Sequence, residues 1–127
     1  MLRRNTTTNQ REIQLIMATR ATIIVEGQPS VKAYKHWDGY EEATLPWLEE
    51  FNRVFAATRG DDPEYKLAQL MRSSAWDADK FNLDKSRNTG WGIVPIDADM
   101  WEEYEYHLHG DGRVTVKTGK DITRKAN

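Results

Sequence analysis

The spacing of apolar residues along the chain predicts five β-strands and two α-helices. Residues 19–26 are rich in β-branched side chains and alternate, which places Ala21, Ile23 and Val25 on one face of a first strand. The turn-forming run 27–30 separates this strand from a second one over residues 31–37. Because the connection is short, we expect the two strands to pair as a hairpin.

Two helices are predicted downstream of this hairpin. Thr44 is the expected N-cap of the first helix, and Pro46 falls in its first turn, where a missing N–H is tolerated. Gly60 is expected to end this helix, and Asp62-Pro63 to begin the second. Apolar residues at three-to-four spacing predict a buried stripe on each helix, formed by Leu48, Phe51, Val54 and Phe55 on the first and by Leu67, Leu70 and Met71 on the second.

Three more strands are predicted in the last third of the chain, over residues 91–96, 101–109 and 113–117. The run Gly110-Asp111-Gly112 is a strong hairpin turn between the last two. The resulting order is ββααβββ. It predicts an α+β fold with an antiparallel or mixed sheet and a two-helix hairpin on one face.

The chain is expected to form one domain over residues 17–117, since a core of this size suits a single unit. Residues 1–16 are polar and precede Met17-Ala18-Thr19-Arg20, which reads like a natural translation start. We interpret 1–16 as a flexible extension or an upstream start, and 118–127 as a polar tail.

Composition narrows the class of protein. The chain is 39% hydrophobic and 30% charged, as in globular domains, and its net charge of −2 favours neither nucleic acid nor an anionic membrane. It contains no cysteine, which excludes disulfides and thiolate chemistry and suits a reducing compartment. No apolar run approaches the roughly 20 residues of a membrane span, and no secretory signal is recognisable. A cytoplasmic location is expected.

The sequence His36-Trp37-Asp38-Gly39-Tyr40 concentrates the most chemistry in the fewest residues. One interpretation is a tight turn in which the aromatic rings pack and Asp38 hydrogen-bonds the local backbone. The other is the lip of a pocket, where an imidazole, an indole, a carboxylate and a phenol suit a flat ligand with polar groups. The sequence leaves both open.

Three further residues are assigned to that pocket by hypothesis. Arg20 opens the first strand and, through hairpin pairing, should lie beside His36, where a guanidinium could hold a phosphate or carboxylate. Simple exposure of Arg20 is the alternative. Trp91 and Arg113 are added as contributions from the second half of the sheet.

Other constellations carry weaker signals. His107 and His109 share a strand face with Glu103 and Glu105, which would suit a transition metal, but alternation on any exposed polar strand gives the same pattern. Paired acidic residues at 61–62 and 97–99 are explained by turns and caps. A basic-aromatic stretch could stack nucleic-acid bases, yet it is modest: Lys80, Phe81, Lys85, Arg87, Asn88 and Trp91. No catalytic residue, cofactor or metal is therefore predicted.

The Thr19-Arg20 start and the His36-Trp37-Asp38-Gly39-Tyr40 run together resemble a widespread group of small uncharacterised proteins. These come mainly from phages, prophages and archaeal viruses and carry a His-Trp-Asp-Gly-Tyr-Pro-Glu signature. The resemblance covers about residues 17–50, and this chain has Glu41 where the group usually has proline. It implies a viral accessory gene that acts in the host cytoplasm. The group has no established activity that could be transferred to this chain.

From these observations, the expected function is non-enzymatic capture of a nucleotide-like small ligand, such as a host defence signal. One alternative is a protein–protein inhibitor of a host defence complex, of the anti-CRISPR type, that uses an acidic surface formed by Glu41, Glu42, Glu49, Glu50, Asp61 and Asp62. A small metal-dependent hydrolase using His36, Asp38 and the His107/His109 face is the second. Because an exposed strand edge tends to pair, a homodimer is expected as well.

Overall fold

A computed structural model describes residues 19–74 and 90–122. In these residues, five strands form one sheet, and two helices form a second layer against it. The predicted extension 1–16 lies outside the described residues. The elements are β1 (Ala21–Val25), β2 (Val31–Lys35), α1 (Glu41–Arg59), α2 (Pro63–Ser74), β3 (Trp91–Pro95), β4 (Tyr104–Leu108), β5 (Val114–Thr118) and a 3₁₀ turn (Gly119–Asp121). Their order, ββααβββ, is the predicted one, and the α+β fold class is confirmed.

The sheet has the strand order β3-β2-β1-β4-β5, with β1 at its centre. β1 pairs antiparallel with β2, with Ala21 opposite Lys35, and parallel with β4, with Ala21 opposite Tyr104. The outer pairs β2–β3 and β4–β5 are antiparallel. The sheet is therefore mixed, one of the two predicted forms, and β3 and β4 run in the same direction.

Because β3 and β4 are parallel and separated by two strands, residues 96–103 must cross back over the sheet to join them. This crossover covers polar residues of β1 and β2. The Lys32 ammonium donates to the carbonyl oxygen of Ala98 at 2.7 Å, and the Thr22 hydroxyl to the Glu102 carboxylate at 3.2 Å. Both donors are buried, and these bonds replace the water that they lose.

The crossover also corrects the predicted start of β4. The alternating pattern begins at Trp101, but this residue has a φ of 56° and is 73% exposed, so the strand starts only at Tyr104. Alternation of polar and apolar residues cannot distinguish a strand from an extended loop that passes over the sheet.

Both helices pack on the opposite face of the sheet, as predicted, with α1 against β4 and β5 and α2 against β1. The core on this face is formed by Ala21, Ile23, Val25, Ala33, Leu48, Leu70, Tyr106 and Leu108. Val54 does not belong to it, because its side chain is 45% exposed. Asn52 is buried instead, and its amide donates to the carbonyl oxygens of His109 and Arg113 at 3.0 and 2.8 Å.

The start of α1 differs from the prediction. Tyr40 is the N-cap, so Pro46 lies inside the helix rather than at its beginning. Thr44 does not cap the helix, since its hydroxyl donates to the carbonyl oxygen of Asp38 at 2.6 Å. The predicted end at Gly60 is confirmed, and so is the start of α2 at Pro63.

The described chain stays ordered beyond the expected boundary at 117. Thr118 is the last residue of β5, and Ile122 is buried after the 3₁₀ turn. Within the described ranges, neither helix is both long enough and apolar enough to cross a membrane.

Candidate functional site

The turn that carries Asp38, Gly39 and Tyr40 is fastened from several sides. The Gly39 N–H donates to the carbonyl oxygen of Thr19 at 2.9 Å. The Tyr106 phenol donates to the carbonyl oxygen of Gly39 at 2.7 Å. The carbonyl oxygen of Tyr40 accepts the backbone N–H groups of Ala43 and Thr44 in the first turn of α1. The turn is thus bonded to β4, to α1 and to the residues before β1.

Two residues of this turn have a backbone requirement. Asp38 has a φ of 60°, a conformation that Asp and Asn tolerate better than most residues. Gly39 lies so close to β1 that a Cβ on it would stand 2.7 Å from the Cβ of Ala21. Of the two interpretations of the motif, the turn therefore accounts for Asp38, Gly39 and Tyr40.

The preceding residues project differently. The register of β1 and β2, continued by one residue, brings Arg20 opposite His36, as the hairpin predicted. The Tyr34 hydroxyl lies 2.6 Å from Nδ1 of His36, and the His36 side chain is exposed. We call Arg20, Tyr34, His36 and Trp37 the strand-end corner.

Electrostatics in the strand-end corner centre on Tyr34. Burial raises the pKa of its phenol, the nearby charge of Arg20 opposes this shift, and the carboxylates of Glu103 and Glu102 add to it. The phenol therefore keeps its proton at neutral pH. Because Nδ1 of His36 is engaged by Tyr34, Nε2 is the imidazole nitrogen that is available to a ligand.

Trp37 supplies the aromatic surface of the strand-end corner. Its ring lies edge-on to the His36 imidazole, with a centroid distance of 5.3 Å. Gly90 closes the other side, since a Cβ there would stand 2.8 Å from the indole, and its carbonyl oxygen accepts the His36 N–H at 2.7 Å. The Lys35 ammonium donates to the carbonyl oxygen of Trp37 at 2.8 Å, and burial lowers the pKa of that amine.

The other residues assigned to the pocket lie elsewhere. Trp91 pairs with Lys35 and contacts Trp47 of α1 at a ring distance of 5.8 Å, so it belongs to the helix-covered face. Arg113 precedes β5 at the opposite end of the sheet and forms an ion pair with Asp111 at 2.8 Å. The structure thus places Arg20 near Tyr34 and opposite His36, with Trp37 against His36. Trp91 lies on the helix-covered face beside Lys35, and Arg113 lies at the opposite end of the sheet.

Tyr34 is the corner residue that the sequence analysis missed. Lys32, Tyr34 and His36 alternate along β2 and so lie on one face, a signal that was present in the sequence. The predicted site was drawn from residues 36–40 and did not include Tyr34 on the strand before them.

The predicted metal-binding face has a different arrangement. Nδ1 of His107 lies 2.5 Å from the Glu26 carboxylate, and Nε2 lies 2.9 Å from that of Glu105. Carboxylates only accept, so both contacts are satisfied together by the imidazolium. These hydrogen bonds raise the pKa of His107, and the one from His107 lowers the pKa of Glu105. Among residues 19–74 and 90–122, no group of three or more acidic, His or Cys side chains is arranged to hold a metal ion.

The hydrolase hypothesis also requires His36 and His107 to converge. His36 lies at the level of Arg20, whereas His107 pairs with Ile24, four residues farther along β1. At 3.3 Å per residue, this separates the two histidines by about 13 Å along the strands alone. They do not share a site.

The acidic surface proposed for a protein inhibitor is interrupted by arginines. Glu50 pairs with Arg53 at 2.8 Å, and Asp62 pairs with Arg59 at 2.9 Å. The basic-aromatic stretch at Lys80, Phe81, Lys85, Arg87 and Asn88 lies outside the described residues.

Comparison with known proteins finds no family model that matches the chain, and no match among curated proteins or solved structures. The resemblance to the viral group therefore stays a prediction from the motif.

Proposed function

We propose that this chain is a non-enzymatic binding protein that captures an anionic, nucleotide-like small molecule at the strand-end corner. The observation that carries the proposal is the environment of Arg20. Arg20 is partly buried as a residue, and within the described part of the chain its guanidinium makes no ion pair or side-chain hydrogen bond. A guanidinium without an ionic partner can bind a phosphate or carboxylate bidentately.

The neighbours of Arg20 suit the rest of such a ligand. Nε2 of His36 is free to meet a ligand oxygen or a base nitrogen, because Tyr34 engages the other ring nitrogen. The partly buried indole of Trp37 provides a surface against which a nucleobase could pack. A cation beside an imidazole, with an aromatic ring next to that imidazole, fits a nucleotide better than an apolar ligand.

The contact between the Tyr34 hydroxyl and Nδ1 of His36 supports capture, because it holds the imidazole in one orientation toward a ligand. The resemblance of the motif to viral accessory proteins supports a setting in which binding alone is useful, namely removal of a host defence signal.

Isothermal titration calorimetry with a panel of cyclic dinucleotides, ADP-ribose derivatives and mononucleotides tests this proposal. At least one ligand should bind, and Arg20→Gln should weaken it by about 10- to 100-fold, the worth of a charged hydrogen-bond pair. Arg53→Gln is the matched control, because its guanidinium is exposed and paired on α1. It should leave the affinity unchanged.

Mass spectrometry of the ligand after denaturation of the complex separates capture from turnover. The ligand should be recovered intact. No binding across the panel, or equal affinity of Arg20→Gln and wild type, would refute the site, and a converted ligand would refute the absence of catalysis.

A further inference from the structure

An apolar groove lies between the two helices. It has a volume of about 880 Å³ and is lined mainly by aromatic and aliphatic residues of α1, with Gln69, Arg72 and Ser73 of α2 on its other side. The apolar lining comprises Trp47, Phe51, Val54 and Phe55. Trp47 is 37% exposed and Val54 45%. Large apolar side chains clustered at a surface usually mark an interface.

The aromatic rings of the groove are already ordered within the described chain. The Trp47 and Phe51 rings are almost parallel, with a centroid distance of 6.0 Å, and Phe51 stacks in turn on Phe55 at 6.1 Å. Trp47, Phe51, Val54 and Thr58 follow one another at spacings of four, three and four residues along α1. This is the seam along which one helix packs against another.

Charge along α1 indicates what covers the seam. The amino-terminal half of the helix carries Glu41, Glu42, Glu49 and Glu50 and no basic residue, whereas the half from Phe51 onward carries Arg53 and Arg59 and no acidic one. A parallel copy of this helix would bring like charges together. An antiparallel copy brings Glu49 and Glu50 of one helix close to Arg59 of the other, and the two helix dipoles then also oppose each other favourably.

We infer that the groove is the two-fold interface of a homodimer in which α1 packs antiparallel on α1 of a second copy. An axis close to Val54, the most exposed apolar residue of the seam, sets Glu50 of one copy across from the Thr58–Arg59 turn of the other. In a two-fold interface, a residue before the axis in one copy meets the residue equally far after the axis in the other copy. A helix that is acidic on one side of the axis and basic on the other is therefore complementary to itself. The strand edges of the sheet are not needed for this association.

Sedimentation equilibrium of the full chain at about 100 µM tests the interface, because a dimer of even modest affinity is populated there. The wild type should be a dimer, and Val54→Glu should be monomeric with an unchanged circular dichroism spectrum. Ile93→Glu is the matched control, since Ile93 is 54% exposed on the edge strand β3. It should remain dimeric.

A charge exchange keeps the test independent of the folding of any one variant. Glu50→Arg and Arg59→Glu should each raise the dimer dissociation constant by about tenfold or more, since like charges then meet across the axis. The double variant Glu50→Arg/Arg59→Glu should restore most of the affinity. The double variant also lacks the ion pairs Glu50–Arg53 and Arg59–Asp62 within each chain. Because these pairs are not restored in it, their loss cannot explain a recovery of affinity.

A monomeric wild type would overturn the inference, and so would single and double variants with equal effects. A dimer that survives Val54→Glu and is lost in Ile93→Glu would place the association at the strand edge and refute the groove. Ligand capture at the strand-end corner is measured separately, so the two proposals fail independently.

Discussion

The phenol of Tyr106 donates a hydrogen bond to the carbonyl oxygen of Gly39 at 2.7 Å, across 67 residues of chain. Tyr106 is fully buried in β4, and Gly39 lies in the turn just before α1. This contact therefore ties the turn of the His-Trp-Asp-Gly-Tyr motif to a central part of the sheet.

Tyr106→Phe should lower the free energy of unfolding by about 1–2 kcal/mol, because it leaves a buried carbonyl without its donor. Urea unfolding followed by circular dichroism measures the change. Tyr65→Phe is the control, since Tyr65 is 59% exposed and its ring, not its hydroxyl, contacts Arg59. Equal stability of Tyr106→Phe and wild type would show that the bond does not hold the turn.

Gly39→Ala should destabilise the fold by about 1–3 kcal/mol, because the new methyl group would meet the backbone and Cβ of Ala21 at 3.0 Å and 2.7 Å. Neither contact is with the end of a flexible side chain. Gly92→Ala on β3 is the matched control, since nothing lies within 4 Å of a Cβ there. A thermal melt in which both variants resemble wild type would contradict the close packing.

Glu41→Pro should be tolerated, with a change in unfolding free energy within about 1 kcal/mol. Glu41 is the first residue of α1, where the N–H has no partner within the helix, and Tyr40 has the extended φ and ψ of −70° and 159° that precede a proline well. Position 41 of this chain thus has a backbone that suits either glutamate or proline.

The comparison for this variant is Glu49→Pro, an exposed position in the interior of α1. It should lose about 3 kcal/mol or more, because it removes a helical hydrogen bond and clashes with the preceding turn. Similar chemical denaturation midpoints for the two variants would mean that the helix does not begin at Glu41.

The His107 contacts make stability depend on pH. The raised pKa of His107 contributes stability that is complete below pH 6.5. This stability is lost as the pH rises through the pKa that His107 has in the folded state. The lowered pKa of Glu105 contributes stability that is present above 4.5 and is lost as the pH falls through its folded-state value. Both contributions are complete between pH 4.5 and pH 6.5, with the middle of this range at about pH 5.5.

His107→Gln should therefore flatten the pH profile of the unfolding free energy and cost about 2 kcal/mol near about pH 5.5, where its charged hydrogen bonds are intact. His109→Gln should keep the profile, because the His109 ring hydrogen-bonds the Thr115 hydroxyl and not a carboxylate. A profile that His107→Gln leaves unchanged would refute the role of the imidazolium.

Over the described residues, local sequence determined the order and type of the elements, because alternation, helical spacing and turn residues act over a few neighbours. It misplaced the starts of α1 and β4. The hairpin register that brings Arg20 beside His36 followed from a short connection, and the ends of the helices at Gly60 and Pro63 from cap residues. Val54 and Asn52 show the limit of such patterns. Asn52 is buried because its amide donates to two carbonyl oxygens of the β4–β5 hairpin, which lie more than 50 residues away in sequence.

Only the tertiary structure decided which polar residues act together. Alternation on β4 showed His107 and Glu105 on one face, yet the third member, Glu26, follows β1 and reaches His107 through the parallel pairing of β1 with β4. The same long-range packing put Gly39 in tight contact with Ala21 and left Arg20 partly buried and His36 exposed. Which face a strand turns to solvent depends on the elements that cover it, and these come from distant parts of the chain.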